Sequence, residues 1–143
     1  YGDHRDLHVR SRRQRQMCIR DSFITGDLGK IDVDGYVHIL GRDKDLIISG
    51  GFNVYPKEVE TLIDDIEGVV ESAVFGVPHD DLGEAVVAVV VSTSITPELV
   101  IGSLTGKLAR FKQPKKVFVV DFLPRNTMGK VQKNRLSDLY ASV

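Results

Sequence analysis

The stretch Glu84–Ser92, reading EAVVAVVVS, limits the fold of this chain more than any other segment. Its apolar run from Ala85 to Val91 is the longest in the sequence and far too short to span a bilayer, which takes about 20 helical residues. A strand without polar alternation has no face to give to water, so this one reads as central and covered on both sides. The covering layers must come from the rest of the chain. At 143 residues, 42% hydrophobic and 27% charged, the sequence reads as one ordinary globular domain. A domain of this size buries about two thirds of its unfolded surface and needs no staples. The single cysteine, Cys18, excludes an internal disulfide and fits a reducing compartment.

Periodicity supplies the neighbours of that strand. In GKIDVDGYVHILG, apolar residues flank Asp34-Gly35, the strongest short-range hairpin signal, and predict strands near Gly29–Val33 and Tyr36–Leu40. LIISGGFNVYP is a second small hairpin around Gly50-Gly51. Pro56 suits the first position of a helix, with Glu58 and Glu60 placed to favour its positive end. Val59, Leu62, Ile63 and Ile66 fall on one face, and Gly68 stops the helix. A strand over Val69–Val77 then joins the central one through the polar turn PHDDLG. Thr96-Pro97 reads as the cap and first residue of a helix ending near Arg110, with Ile101, Leu104 and Leu108 facing inward. KKVFVVDF is a further strand, and a short helix is expected around Lys133–Tyr140. The fold class is α+β: a small sheet of about three strands flanked by helices and preceded by β-hairpins.

Charge excludes some function classes and isolates one segment. The net charge of −1 gives no electrostatic case for a nucleic-acid or membrane partner. Residues 1–22 carry six arginines against three aspartates and no lysine, whereas the remainder has 13 basic and 17 acidic residues. This head lacks helical or strand periodicity and is expected to be a foreign or disordered segment outside the fold. A targeting peptide is disfavoured by Asp3, Asp6 and Asp21. A nucleic-acid-binding arm is the alternative for the same arginines.

Four stretches carry more polar and glycine content than folding requires. TGD, Thr25 to Asp27, is a turn on the bland reading; on the functional one, Asp27 accepts hydrogen bonds from a vicinal diol, as acids do on ribose. In GRDKDLIISGGFNVYPKEVE, Asp43, Lys44 and Asp45 fit a solvated linker, but the paired glycines Gly50-Gly51 invite close approach of another chain or a ligand. ARFKQPKK surrounds Phe111 with four cations, either a solvated helix end or a holder of nucleotide phosphates with the ring stacked on a base. LPRNTMGKVQKN exposes Lys130 on a surface loop. It is no P-loop: Pro124 stands where the first glycine is needed, and Val131 where a hydroxyl is needed.

Together and in this order, the four stretches resemble the carboxyl-terminal part of the adenylate-forming enzymes, which include acyl-CoA synthetases, peptide synthetase adenylation domains and firefly luciferase. The resemblance runs from about Phe23 to Leu139. GGFNVYPKEVE and LPRNTMGKVQKN are similar to the acyl-CoA synthetase branch, closest to malonyl- and methylmalonyl-CoA synthetases. The resemblance implies that residues 23–43 are a hairpin and linker from the edge of a large amino-terminal domain, and that residues 44–143 are the lid. It further implies that Asp27 and Arg42 bind the ribose of ATP and AMP, and that Lys44 is the hinge. Gly50 and Gly51 would line the pantetheine tunnel of coenzyme A, Phe111 and Lys112 would lie by its nucleotide, and Lys130 would be the adenylation lysine.

The implied substrates are a small carboxylic acid, ATP and coenzyme A. The implied partner is the large domain, which would hold Mg²⁺; no metal ligand is assigned to this chain. The implied setting is fatty acid metabolism in the cytoplasm, or the mitochondrial matrix if the source is eukaryotic. The isolated chain is expected to be inactive. Two alternatives are an adenylation domain that charges a carrier protein and a non-catalytic module that binds coenzyme A or a protein. The second gives Lys130 and Asp27 no use.

Overall fold

The central strand has both of its faces buried, and the remaining elements are arranged around it. The computed structural model describes residues 25–141 in full and, before them, the backbone of two short strands. The chain runs through β1 (Cys18–Ile19), β2 (Ser22–Phe23), β3 (Asp27–Ile31), β4 (Val37–Arg42), a 3₁₀ turn (Asp43–Asp45), β5 (Ile47–Ser49), β6 (Phe52–Val54) and α1 (Pro56–Asp64). There follow β7 (Glu71–His79), β8 (Gly83–Val91), α2 (Pro97–Leu104), a second 3₁₀ turn (Arg110–Lys112), β9 (Lys116–Val120) and α3 (Lys133–Leu139). The expectation for the head, residues 1–22, falls outside the described residues apart from β1 and the start of β2, which pair antiparallel.

Strand β8 pairs antiparallel with β7 and parallel with β9. Successive side chains of a strand point to opposite faces. Val86, Ala88 and Val90 therefore enter one core with Val59 and Ile63 of α1 and Val100 and Leu104 of α2. Ala85, Val87, Val89 and Val91 enter the other with Phe75, Leu123 and Leu136 of α3. This answers the valine-rich run: each face of β8 has its own covering layer.

The sheet is larger than the three strands expected. The β5–β6 hairpin does not stand apart but joins β8 through the pair Ser49–Gly83, giving five strands. Two side contacts hold it there: Gly50 N–H donates to Leu82 O at 2.8 Å, and Ile48 N–H donates to Glu84 Oε2 at 2.7 Å.

Helix α2 is also shorter than its apolar spacing predicted. It ends at Leu104 because Thr105 is extended and Gly106 takes φ +82°, a left-handed value that stops a helix. Its start agrees with the reading, since the Thr96 hydroxyl accepts from Leu99 N–H and Pro97 follows. Leu108 is still buried, but from the turn beyond the helix. Leu104 is fully buried, so Leu104→Ala is expected to cost about 2–5 kcal/mol of stability, read as a lowered denaturant midpoint at unchanged slope.

The first hairpin turns over five residues rather than two, with Ile31 and Val37 as its last pair. Asp32 is the reason. Its Oδ1 accepts from Asp34 and Tyr36 N–H, and its Oδ2 meets His38 Nε2 at 2.6 Å. The His38 contact, followed by the Tyr36 N–H, holds the Asp32 carboxyl below its ordinary range. A lowered carboxyl stabilises the fold above its ordinary pKa, and that contribution is lost as pH falls through the lowered value.

Candidate functional site

The hairpin register places Asp27 directly opposite Arg42. Arg42 Nε reaches Asp27 Oδ1 at 2.8 Å, and Arg42 Nη1 donates to Thr25 O at 2.8 Å. Asp27 N–H in turn donates to Thr25 Oγ1 at 3.1 Å, and Asp43 N–H to Gly26 O at 3.0 Å. Thus the TGD turn and the Gly41-Arg42 stretch are two sides of one polar corner. A half-exposed ion pair of this kind contributes only about 0.2–1 kcal/mol to stability. Its chemical value lies in what remains: a carboxylate has about four acceptor sites and a guanidinium five donors. Acceptors for a diol and donors on Nη2 are still available beside each other.

From that corner the 3₁₀ turn carries Lys44 into a cleft of about 830 Å³ lined by Arg42, Lys44, Asp45, Asn126, Lys130 and Lys133 among others. Smaller hollows of about 410 and 300 Å³ adjoin it, the first reaching Asp27, Glu60 and Lys133, the second Thr25 and Gly26. Arg42 lines all three. The main cleft sets four cations against one carboxylate, Asp45. Arg42 and Lys133 are paired with Asp27 and Glu60, so Lys44 and Lys130 give the cleft its net positive character. Such a surface favours a polyanion.

The loop that presents Lys130 is built, not slack. Asn126 Oδ1 accepts from Met128 and Lys130 N–H at 3.0 and 2.9 Å, and Asn126 N–H donates to Lys130 O at 2.9 Å. Gly129 takes φ +77° to close this turn. Arg125 Nη1 donates to Gly129 O at 2.7 Å, and the same guanidinium pairs with Glu71 on β7. Lys130 is exposed on this loop, and the hydrogen bonds of Asn126 organise the backbone from which its stem extends.

The other expected residues gather elsewhere. Gly50 and Gly51, at φ +58° and +80°, form the exposed tip of the β5–β6 hairpin. The next residue, Phe52, stacks on Phe111 with ring centroids 4.6 Å apart, which ties the glycine tip to the second 3₁₀ turn. Lys112 Nζ meets both carboxylate oxygens of Glu58 at 2.8 Å. The cations around Phe111 are accordingly not a solvated helix end, because α2 has already stopped and one of them is paired. Two groups thus stand on the domain: Asp27, Arg42, Lys44 and Lys130 around the cationic cleft, and Gly50, Gly51, Phe111 and Lys112 around an exposed aromatic pair.

Three contacts were not foreseen. Glu60 does not serve the start of α1; it is buried, bonded to Val74 N–H and Lys133. Phe52 was read only as part of a strand, and Arg125 only as part of a motif. Their partners lie far away in sequence, so no local signal marks them. Among the described residues, no three His, Cys, Asp or Glu side chains are grouped to hold a metal, and no helix is long and apolar enough to cross a membrane.

An α+β domain with a glycine-tipped hairpin at one edge and a lysine loop leading into its last helix is the architecture of one enzyme module. The model for the AMP-binding enzyme C-terminal domain matches residues 58–130, and the chain belongs to that family. The ATP-bound MatB from Rhodopseudomonas palustris is 60% identical at a TM-score of 0.80, over 92% of this chain and 27% of that one. A long-chain-fatty-acid–CoA ligase of Mycobacterium tuberculosis is 40% identical over 96% of this chain and 29% of its own length. A 2-succinylbenzoate–CoA ligase of Listeria monocytogenes is 41% identical over 83% of this chain and 26% of its own. The chain therefore spans under a third of the length of these relatives.

Proposed function

We propose that this chain is the lid of an ATP-dependent acyl-CoA synthetase, joining a carboxylic acid to coenzyme A through an acyl-adenylate. The observation that carries the reading is the shared cleft. Arg42, already paired with Asp27, lines it together with Lys44 and Lys130, which come from opposite ends of the domain sequence.

In the first half reaction, the substrate carboxylate attacks the α-phosphorus of ATP, the bond to the bridging oxygen of the β-phosphate breaks, and pyrophosphate leaves. Asp27 and Arg42 hold the ribose, and Lys130 meets the negative charge crowded between the carboxylate and the α-phosphate. Lysine suits this as a compact charge on a flexible stem, here rooted in a fixed turn. In the second half reaction, the thiol of coenzyme A attacks the acyl carbonyl and AMP leaves. The lid turns about Lys44, withdrawing Lys130 and bringing up the Gly50-Gly51 tip, with Phe111 and Lys112 beside the coenzyme A nucleotide.

The remaining length of the relatives corresponds to the large domain, with residues 23–43 as its edge. Ile31, Val37 and Ile39 on the first hairpin are each more than 60% exposed, as expected of a face that packs against that domain. Mg²⁺ accompanying ATP would be held by the large domain. The likeness of the motifs to malonyl- and methylmalonyl-CoA synthetases makes malonate and methylmalonate the first acids to test. The fatty-acid and succinylbenzoate ligases share the same lid, which leaves the choice of acid to the large domain.

The test is pyrophosphate release and thioester formation by a full-length protein carrying this segment, offered malonate, methylmalonate and longer acids. Both products should form with at least one acid, and the 143-residue chain alone should release no pyrophosphate. Release of pyrophosphate by the chain alone, or none from the full-length protein with any simple acid, would overturn the reading.

A further inference from the structure

Glu60 is a buried carboxylate to which the reaction above assigns no work. Its side chain is 10% exposed, and its Oε1 accepts from Val74 N–H at 2.9 Å and from Lys133 Nζ at 2.5 Å. Taking two charges out of water is costly, and a buried ion pair often contributes no more stability than apolar residues of the same shape. Stability alone therefore explains this pair poorly, and the elements it connects point to a different use. Glu60 lies on α1, Val74 on β7, and Lys133 is the first residue of α3, three residues beyond Lys130.

The leading root of the Lys130 loop is tied as well, by Arg125 to Glu71 on the same strand β7. The loop is thus tied at its leading end to β7 and at its trailing end to Glu60 of α1, which itself bonds Val74 of β7, with Asn126 organising the turn between them. We propose that Glu60 is a positioning residue for adenylate formation: through Lys133 it fixes the trailing root of the loop, and so the place from which Lys130 enters the cleft. This rests on the lid reading given above. A functional group that must sit within a fraction of an ångström of its target needs such supporting contacts. Lys133 itself lines the cleft, so its pairing with Glu60 also withholds one cation that would otherwise compete with Lys130 for the same anion.

The test uses Glu60→Gln and Lys133→Gln in a full-length enzyme carrying this lid, with the two half reactions assayed separately and Lys130→Ala as the reference. Glutamine at position 60 keeps an acceptor for Val74 N–H and removes the charge. Helix α3 stays docked through buried Leu136 and the Ser137 hydroxyl, which donates to Gly76 O at 3.2 Å. Each variant is expected to slow adenylate formation about 10- to 100-fold, the range for a misplaced group. The loss should fall on kcat, with KM for ATP little changed, because Lys130 acts on charge that develops during the reaction.

Thioester formation from supplied acyl-adenylate should continue at the parent rate. The double variant should be no slower than either single one, since both remove the same bridge. Lys133→Arg, which can still reach the carboxylate, should recover most of the activity. Adenylate formation at the parent rate in Glu60→Gln overturns the proposal, as does equal slowing of both half reactions accompanied by a lower Tm. If Lys130→Ala is slow while Glu60→Gln is not, the positioning role alone fails. If Lys130→Ala is also unimpaired, it is the lid reading that fails.

Discussion

Replacing Lys130 by alanine in a full-length enzyme carrying this lid is expected to slow acyl-adenylate formation by about 10² to 10³-fold, or about 3–4 kcal/mol. The magnitude is that of losing one preorganised donor aimed at developing charge. Preorganisation is visible in the loop: Asn126, Arg125 and the Gly129 turn fix the backbone from which the lysine extends. The proposed cycle withdraws the loop before the thiol attacks, so thioester formation from supplied acyl-adenylate should be nearly unchanged. Folding should survive, because Lys130 is exposed and truncating an exposed loop side chain costs about 0.5 kcal/mol or less. Assays of the two half reactions on one mutant decide it. Adenylate formed at the parent rate would make Lys130 a solvated loop residue and remove the main catalytic support for the assignment.

Lys44→Pro should show the opposite split. Lys44 is the middle residue of the 3₁₀ turn Asp43–Asp45, exposed in a turn with no buried residue, which suits a point of rotation. Proline fixes φ near −65° and biases the preceding Asp43 toward extended backbone, so it restricts the turn to a narrower set of conformations. Adenylate formation should be largely kept, while thioester formation should fall on the order of 10²-fold because the Gly50-Gly51 tip no longer reaches the adenylate. Lys44→Ala removes the ammonium but leaves φ free, and so separates backbone motion from charge. Equal loss of both half reactions in Lys44→Pro would argue against a hinge. A loss in Lys44→Ala confined to adenylate formation would instead assign the ammonium to the phosphates, a role compatible with its place in the cleft beside Lys130.

The two expectations concern residues that line one cleft yet are proposed to act in different steps. In the proposed cycle, that arrangement would give the cationic cleft and the aromatic tip separate turns at one reacting centre. The pairing of Phe52 with Phe111 makes the tip and the second 3₁₀ turn one surface, while Glu60 and Arg125 make the lysine loop part of the sheet's own frame. Each face is held together by its own contacts, so in the proposed cycle the motion is assigned to the linker.

The sequence alone determined the parts whose signal is local. Seven consecutive apolar residues with no polar alternation require a strand buried on both faces, and β8 divides its side chains between two cores. Val59 and Ile63 recur at helical spacing, and Thr96-Pro97 sets the start of α2 through its own hydroxyl. The order of the polar motifs was legible as well, and their resemblance to a known family supplied expected roles. Tertiary structure decided which of those polar groups meet. Strand register set Asp27 against Arg42, although turn chemistry at Asp32 moved both strand ends from their expected positions. Docking of α3 brought Lys130 to Arg42 and Lys44, and the packing of α1 turned Glu60 from a helix-start carboxylate into the buried partner of Lys133. Apolar periodicity is written within a few consecutive residues, because burial acts on each element's own face. A charge takes its partner from whatever packing places within about 4 Å of it, and for Glu60 and Lys133 that neighbour comes from the other end of the domain.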